Sequence, residues 1–258
     1  MTDPYAVYAL RYATKPGNTR AQTFLNGDPH DGPMPMDYFV WAIVGNGRTI
    51  VVDTGFDEAM AEQRGREFLM SPRDGLAVIG VDAATVPDVI VSHMHYDHIG
   101  NREMFPAATY HLQDEEMAYA TGRCMCHPAI RQPFEAEDVV AMVRRVFEGR
   151  VAFHDGDSEV APGVTVHKIG GHSKGLQVVR VPTRRGMMVL ASDAAHFTAN
   201  IVEARPFHIV HNLEETMEGL RKLPTLADHP SLVIPGHDGA VTSSYPTVNG
   251  VDGVLRLD

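Results

Sequence analysis

Apolar residues in this chain fall into short runs separated by turn-forming clusters, the pattern of buried strands in a layered fold. Tyr38-Phe39-Val40-Trp41-Ala42-Ile43-Val44 is apolar at every position, so that strand should be covered on both faces. Gly45-Asn46-Gly47 turns it into Thr49-Ile50-Val51-Val52, which predicts a hairpin. A first strand is expected over residues 5 to 12, and a long loop rich in Gly, Pro, Asn and Asp over 15 to 36. Val89-Ile90-Val91 reads as a buried strand, reached through a short helix over Asp82 to Thr85 ahead of Pro87. Thr109-Tyr110-His111-Leu112 is another short strand, and two hairpin-like strand groups cover 151 to 191. Helical stretches are expected over 57 to 70, Gln113 to Ala120, Ala136 to Phe147 and Glu214 to Leu223, the last ended by Pro224. No long linker, low-complexity tract or repeat interrupts the pattern, so residues 1–258 are expected to form one α/β domain.

The ends of these strands carry the chemistry. His93-Met94-His95-Tyr96-Asp97-His98 leaves the strand that ends at Val91, placing four potential metal ligands on one short loop. Imidazole and carboxylate together suit zinc or another borderline divalent ion. A loop that is merely histidine-rich, in a chain with 14 His, explains one or two of these residues. It explains poorly two pairs interleaved with an aspartate. His172 follows the strand-like Val164 to Ile169, Asp193 follows Met187 to Ala191, and His237 follows Leu232 to Gly236. Strand ends are where active-site groups gather in layered α/β structures. The total of seven candidate ligands is enough for two metals with open positions for water.

This constellation resembles the metallo-β-lactamase superfamily, through its His-x-His-x-Asp-His motif, the later His, Asp and His in that order, and the early Val51-Val52-Asp53-Thr54-Gly55. The resemblance spans residues 51 to 238 and implies a four-layer αβ/βα sandwich with metals in the cleft between two sheets. It implies that His93, His95 and His172 hold a first metal, that Asp97, His98 and His237 hold a second, and that Asp193 bridges them. The ions would be zinc, with manganese or iron as alternatives. The chemistry that follows is attack by a hydroxide shared between the metals on a carbonyl carbon, with the oxyanion held by the second metal. Asp97 could also steer the nucleophile or carry a proton to the leaving group. Asp53 reads as a carboxylate that orients a metal-bound histidine, or as a plain turn before Gly55.

Composition narrows the class. With a formal net charge of −11, a basic surface for nucleic acid is not expected. No apolar run reaches the length of a membrane span. Met1-Thr2-Asp3-Pro4-Tyr5 carries no positive charge ahead of an apolar stretch, so no secretory signal is expected. The only cysteines, Cys124 and Cys126, are placed to staple nothing distant, and a reduced cytoplasm fits them. Beside His127 they could hold a third metal, or be two free thiols. The assembly is left open, a homodimer among its forms.

Among branches of the superfamily, the β-lactamases usually carry a signal peptide, and their zinc enzymes commonly have Cys in place of the bridging Asp. Glyoxalase II adds a C-terminal helical domain, whereas 21 residues follow His237 here. Flavodiiron proteins have Glu where this chain has His95. The arrangement and Ser192-Asp193-Ala194-Ala195 look most like the N-acyl homoserine lactonases and other small-lactone hydrolases such as pyridoxolactonase. The expected substrate is therefore a lactone, or another ester or cyclic amide. Two positions depart from that group: His196 stands where Tyr is usual, and Gly175-Leu176 where Gly-His is common. His196 is expected to face the open coordination positions without being a ligand. It could donate to the substrate carbonyl as a neutral imidazole, pair with a substrate carboxylate if protonated, or be a buried His tied to the backbone beside Phe197.

Phe68, Leu69, Met70, Met104, Phe105, Tyr119 and Met125 are candidates for an apolar pocket, although most of the 13 Met should be core filler. His111, His154, His167, His208, His211 and His229 have no partner pattern and are taken as structural. Two rival classes remain. A mononuclear iron dioxygenase of the persulfide-oxidising type would need only His93, His95, His172 and Asp193. The other is a noncatalytic metal-binding partner protein, against which the full set of ligands counts.

Overall fold

The computed structural model describes residues 3–258, so Met1 and Thr2, part of the N-terminal stretch read above for a signal, lie outside the described residues. In chain order the first half runs β1 (Ala6–Lys15), α1 (Arg20–Thr23), β2 (Met36–Gly45), β3 (Arg48–Val52), α2 (Glu58–Arg64), β4 (Glu67–Phe68), α3 (Pro72–Val78), β5 (Asp88–Ile90), α4 (Tyr96–Ile99) and β6 (Thr109–Gln113). It continues through α5 (Asp114–Ala120), α6 (Pro128–Arg131), α7 (Ala136–Phe147) and β7 (Val151–His154). The second half comprises β8 (Ser158–Ala161), β9 (Val164–Lys168), β10 (Gln177–Thr183), β11 (Gly186–Ser192), α8 (Thr198–Val202), α9 (Leu213–Leu226), β12 (Val233–Pro235), α10 (Ala240–Ser244) and β13 (Val254–Arg256).

The strands form two sheets. The first has eight strands in the order β13-β1-β2-β3-β5-β6-β7, with β4 added beside β1; the second has five, β12-β11-β10-β9-β8. Their facing sides share one apolar cluster, containing Phe39, Trp41 and Ile43 from β2 and Val179, Val181 and Leu190 from β10 and β11. The other face of the first sheet packs Tyr38, Val40 and Ala42 against helical residues such as Leu76, Tyr119 and Met142. The other face of the second packs Val178, Val189 and Ala191 against Leu220 and Leu223 of α9. Helices therefore cover both outer faces, giving the four layers expected. The uninterrupted apolar run of β2 is explained, because its two faces serve two different cores.

Between β2 and β3 the hairpin closes at Gly45 and Arg48 over Asn46 and Gly47, both left-handed, the conformation a two-residue turn needs to match strand twist. Four expectations change. The single helix expected over 57 to 70 is broken: α2 stops at Gly65, whose φ of 63° caps it, and β4 then joins the first sheet. Residues 151–154 pair in parallel with β6 in the first sheet and not with the later hairpins. The long loop over 15 to 36 contains α1, held by a capping box on Thr19. Pro224 does not end α9, which runs on to Leu226. Burial of Leu220 and Leu223 against the second sheet outweighs the backbone bond that proline forgoes there.

Candidate metal centre

The loop after β5 is locked from several sides before any ligand is considered. Asp53 N donates to Ile90 O at 2.8 Å and Thr54 N to His98 O at 2.8 Å. The Tyr12 hydroxyl donates to Asp97 O at 2.9 Å. His95 stands at the N-terminus of α4, and that short helix carries Asp97 and His98. On the second sheet, Asp193 follows Ser192, which is left-handed at the end of β11. His237 follows β12, and its N–H donates to His196 O at 2.8 Å. His172 follows Gly170 and Gly171, both at positive φ. A Cβ on Gly171 would meet Thr216 of α9 at 2.5 Å, so only glycine lets this loop lie so close to the helix.

All seven candidate ligands are buried. His93, His95, His172 and Asp193 form one group and Asp97, His98 and His237 a second, each with ligand atoms within 4.8 Å of one another. Asp193 faces both: its Oδ2 is 3.2 Å from His172 Nε2 and 3.6 Å from His93 Nε2, and its Oδ1 is 2.9 Å from His237 Nε2 and 3.3 Å from His98 Nε2. The nitrogens of His93 (Nε2) and His172 (Nε2) converge on His95 Nδ1 at 2.9 and 3.0 Å.

The outward nitrogens of His172, His237 and His98 have carbonyl or carboxylate partners, and that of His93 faces Ser92 Oγ at 3.1 Å. His172 Nδ1 lies 2.9 Å from Ile209 O and His237 Nδ1 2.8 Å from Asp37 O, so in the tautomers that donate to these carbonyls Nε2 is left bare. His98 Nδ1 is 2.7 Å from Asp53 Oδ2, while its buried Nε2 has no hydrogen-bond partner. Bare, buried nitrogens beside buried carboxylates fit divalent cations, and partners behind the rings are what hold metal-bound histidines in orientation.

The electrostatics agree with that fit. Burial pushes His93 and His95 well below the usual imidazole range, as does the charge of neighbouring histidines. Burial would also lower His98, but Asp193, Asp97 and Asp53 outweigh it and hold it well above. Burial would raise Asp97 and Asp193. For Asp97, His98 and His237 reverse the sign, and for Asp193, His196, His98 and His237 do so; both carboxyls stay well below their ordinary range.

Around this centre the outcome for other residues is mixed. Asp53 is fully buried and accepts from Ser92 N at 2.7 Å and Ser92 Oγ at 2.8 Å besides facing His98, so it is more than a plain turn. His196 lines the cleft, but its ring is tied to a side chain and not to backbone: Nε2 sits 3.0 Å from Asp193 Oδ2, and Phe207 stacks on it at 3.5 Å. It lies with Asp193 and His237 in a further set of atoms that could hold a metal, beside the two groups formed by the seven candidate ligands. Burial pushes His196 down to about 3, which removes the protonated form as a partner for a substrate carboxylate. Cys124 and Cys126 are free, and no metal-holding group forms around them among the described residues.

The apolar pocket is overturned. None of Phe68, Leu69, Met70, Met104, Phe105, Tyr119 and Met125 lines the cleft of about 450 Å³ over the centre. Phe105 and Tyr119 are buried in the first core; Phe68, Met70, Met104 and Met125 pack against it. The cleft wall is mixed instead, with Lys15, Arg64, Arg66 and His208 on it beside Met36, Tyr38, Phe207 and Ile209.

Glu116 also escaped the sequence. Fully buried, it accepts from Met94 N at 2.9 Å on the first metal loop, and from Ser173 Oγ at 2.7 Å and Gly175 N at 2.9 Å on the loop of His172. Its only signal was an acid in the first turn of a helix, which is commonplace.

Comparison with known proteins follows the same lines. The family described as the metallo-beta-lactamase superfamily matches residues 34–237. An N-acyl homoserine lactonase of Azorhizobium caulinodans is 27% identical over 186 residues, 67% of this chain and 65% of that protein. One of Rhizobium johnstonii is 30% identical over 180 residues, again 67% and 65%. The chain thus spans just under two thirds of the length of these relatives. Among solved structures, an N-acyl homoserine lactone hydrolase with the product N-hexanoyl-L-homoserine at its catalytic metal centre superposes with a TM-score of 0.75 at 20% identity, covering 95% of this chain and 98% of that one. A dizinc quorum-quenching lactonase superposes at 0.71 and 17% identity, covering 97% and 93%. At these identities the structural likeness speaks to the fold.

Proposed function

The chain belongs to the metallo-β-lactamase superfamily, and from that premise we propose that it is a two-metal hydrolase that opens a small lactone ring. The observation that carries the reading is Asp193, whose two oxygens face separate ligand groups on either side of it. His93, His95 and His172 would hold one divalent ion, Asp97, His98 and His237 the other, with Asp193 between them and zinc as the favoured metal. When bound, such a pair polarises a carbonyl and makes water acidic enough to supply hydroxide near neutral pH.

The chain's own residues do the remaining work. Asp97 lines the cleft, where it would hold the attacking water in register and pass a proton between water and leaving group. Addition to the carbonyl carbon is followed by cleavage of the acyl–oxygen bond. The departing ring oxygen takes a proton, for which Asp97 is the carrier, and the carboxylic acid product releases one proton to solvent. His196 lies with Nε2 3.0 Å from Asp193 Oδ2 and is stacked on Phe207, so it would help orient the shared carboxylate. Support for a lactone over other esters comes from the lactonase relatives.

Elemental analysis of purified protein, combined with a pH-drop screen over lactones, esters and cyclic amides, tests the proposal. Close to two metals per chain and proton release on a lactone, equal in air and under nitrogen, are expected. One metal with strict oxygen dependence would move the protein to the dioxygenase class.

A further inference from the structure

Lys15 and Arg66 both line the wall of the cleft. β1 and β4 are antiparallel, with Ala13 opposite Phe68 and Thr14 opposite Glu67, which brings Lys15, at the end of β1, near Arg66, the residue before β4. The charge of Arg66 is felt at the Lys15 amine, so the two cations repel one another. Neither residue forms an ion pair among the described residues: Lys15 Nζ donates to Asn18 Oδ1 at 3.0 Å, and Arg66 NH1 donates to Arg64 O at 2.6 Å. The third cation of the cleft, Arg64, is different, because Glu135 and Gln132 O already take up its guanidinium.

Both unpaired cations are partly out of water. Arg66 Nε is buried without a hydrogen-bond partner, and the guanidinium lies 5.7 Å from the centre of the Tyr38 ring. Burial, and then the charge of Arg66, pull the Lys15 amine below its ordinary range. The same cleft holds Asp97 and Asp193, and these carboxylates belong to the ligand groups of the metal centre. The cleft therefore holds two cations outside any ion pair among the described residues, of which Arg66 feels the charge of Asp97 without being paired to it. A planar guanidinium fork beside an ammonium is a donor set suited to an oxyanion.

We propose that the cleft accepts a small lactone bearing an anionic oxygen group, a carboxylate or phosphate, apart from the carbonyl under attack, and that Lys15 and Arg66 hold that group. This rests on the hydrolytic reading given above, which it deepens by naming the substrate class. Neutral acyl lactones lack the group that would relieve the Lys15–Arg66 repulsion.

The test has a kinetic and a binding arm. The metal-loaded protein is assayed on a γ-lactone carrying a ring carboxylate and on the methyl ester of that acid. The carboxylate should be preferred in kcat/KM by about 10- to 100-fold, the range of a charge-assisted hydrogen bond. Lys15→Met and Arg66→Met should each bring the acid-to-ester ratio down toward one, with metal content unchanged, and Arg66→Lys should keep part of the preference. In the binding arm, glutarate and inorganic phosphate are titrated calorimetrically into wild type and both Met variants. Binding of either anion that weakens about tenfold or more in the variants supports the site, and the tighter of the two names the group. Equal turnover of acid and ester, or anion binding indifferent to both substitutions, overturns it. If no lactone of either kind is opened, the hydrolase reading fails, and the calorimetric arm still decides the anion site. Misfolding is controlled by thermal melting, with a single cooperative transition expected of each variant without anion.

Discussion

Asp53 Oδ2 lies 2.7 Å from His98 Nδ1, at a carboxylate with no exposure to solvent and a backbone φ of 63°. A left-handed conformation costs a non-glycine residue about 1–3 kcal/mol, so the strand end is shaped to deliver this side chain. Asp53→Asn keeps the shape and removes the charge behind the ring. Metal affinity at the group containing His98 should fall by about 10- to 100-fold. Competition with a chromophoric chelator measures this, and an unchanged affinity would show that Asp53 only closes the turn.

Removing metal should abolish lactone opening, and two equivalents per chain should be needed to restore it. His93→Ala and His237→Ala should each lower the bound metal toward one per chain and remove most activity. Full activity with a single equivalent would contradict the shared role of Asp193.

Glu116 joins the loops of His95 and His172 through three accepted hydrogen bonds. Glu116→Gln turns an amide N–H₂ toward donors that need an acceptor. A loss of roughly 1–3 kcal/mol in urea unfolding is expected, the cost of leaving a buried donor unpaired. Metal content should fall with it, because the affected loops carry ligands. Stability equal to wild type would remove Glu116 from this role.

The metal-free protein should be acid-labile in a defined window. Burial holds His196 at about 3, below the ordinary imidazole value of 6.5, so the folded state binds fewer protons there than the unfolded state. Its contribution to stability is present above pH 6.5 and is lost progressively as pH falls toward 3. Between pH 7 and pH 5, in the presence of chelator, the urea midpoint of His196→Asn should therefore fall less than that of wild type. Parallel falls would place the acid sensitivity in His93 and His95 alone.

The metal groups were legible because residue type and position coincide: each ligand is a His or Asp just past a run such as Val89 to Val91, whose apolar character marks a buried strand. The cleft wall was not legible in that way. Arg66 belongs to a segment patterned as helix, and it meets Lys15 only because the two-residue strand β4 attaches to the far end of β1. Met104 and Phe105 looked like pocket residues because they follow the ligand loop closely. They turn instead into the helix-covered core, and no periodicity distinguishes the two destinations. Glu116 is placed by tertiary contacts with residues 57 and 59 positions further along the chain, which local pattern cannot register.

Neither ligand group is completed within one sheet and its loops. His93 and His95 need His172 and Asp193, and Asp97 and His98 need His237. Bound ions would therefore act as rivets between the halves of the sandwich, tying the stability of the interface to the metal supply. A newly synthesised first half has no complete group to load, so metallation must wait until β11 and β12 have docked. Two separately expressed halves should correspondingly reassociate more tightly with metal than without it.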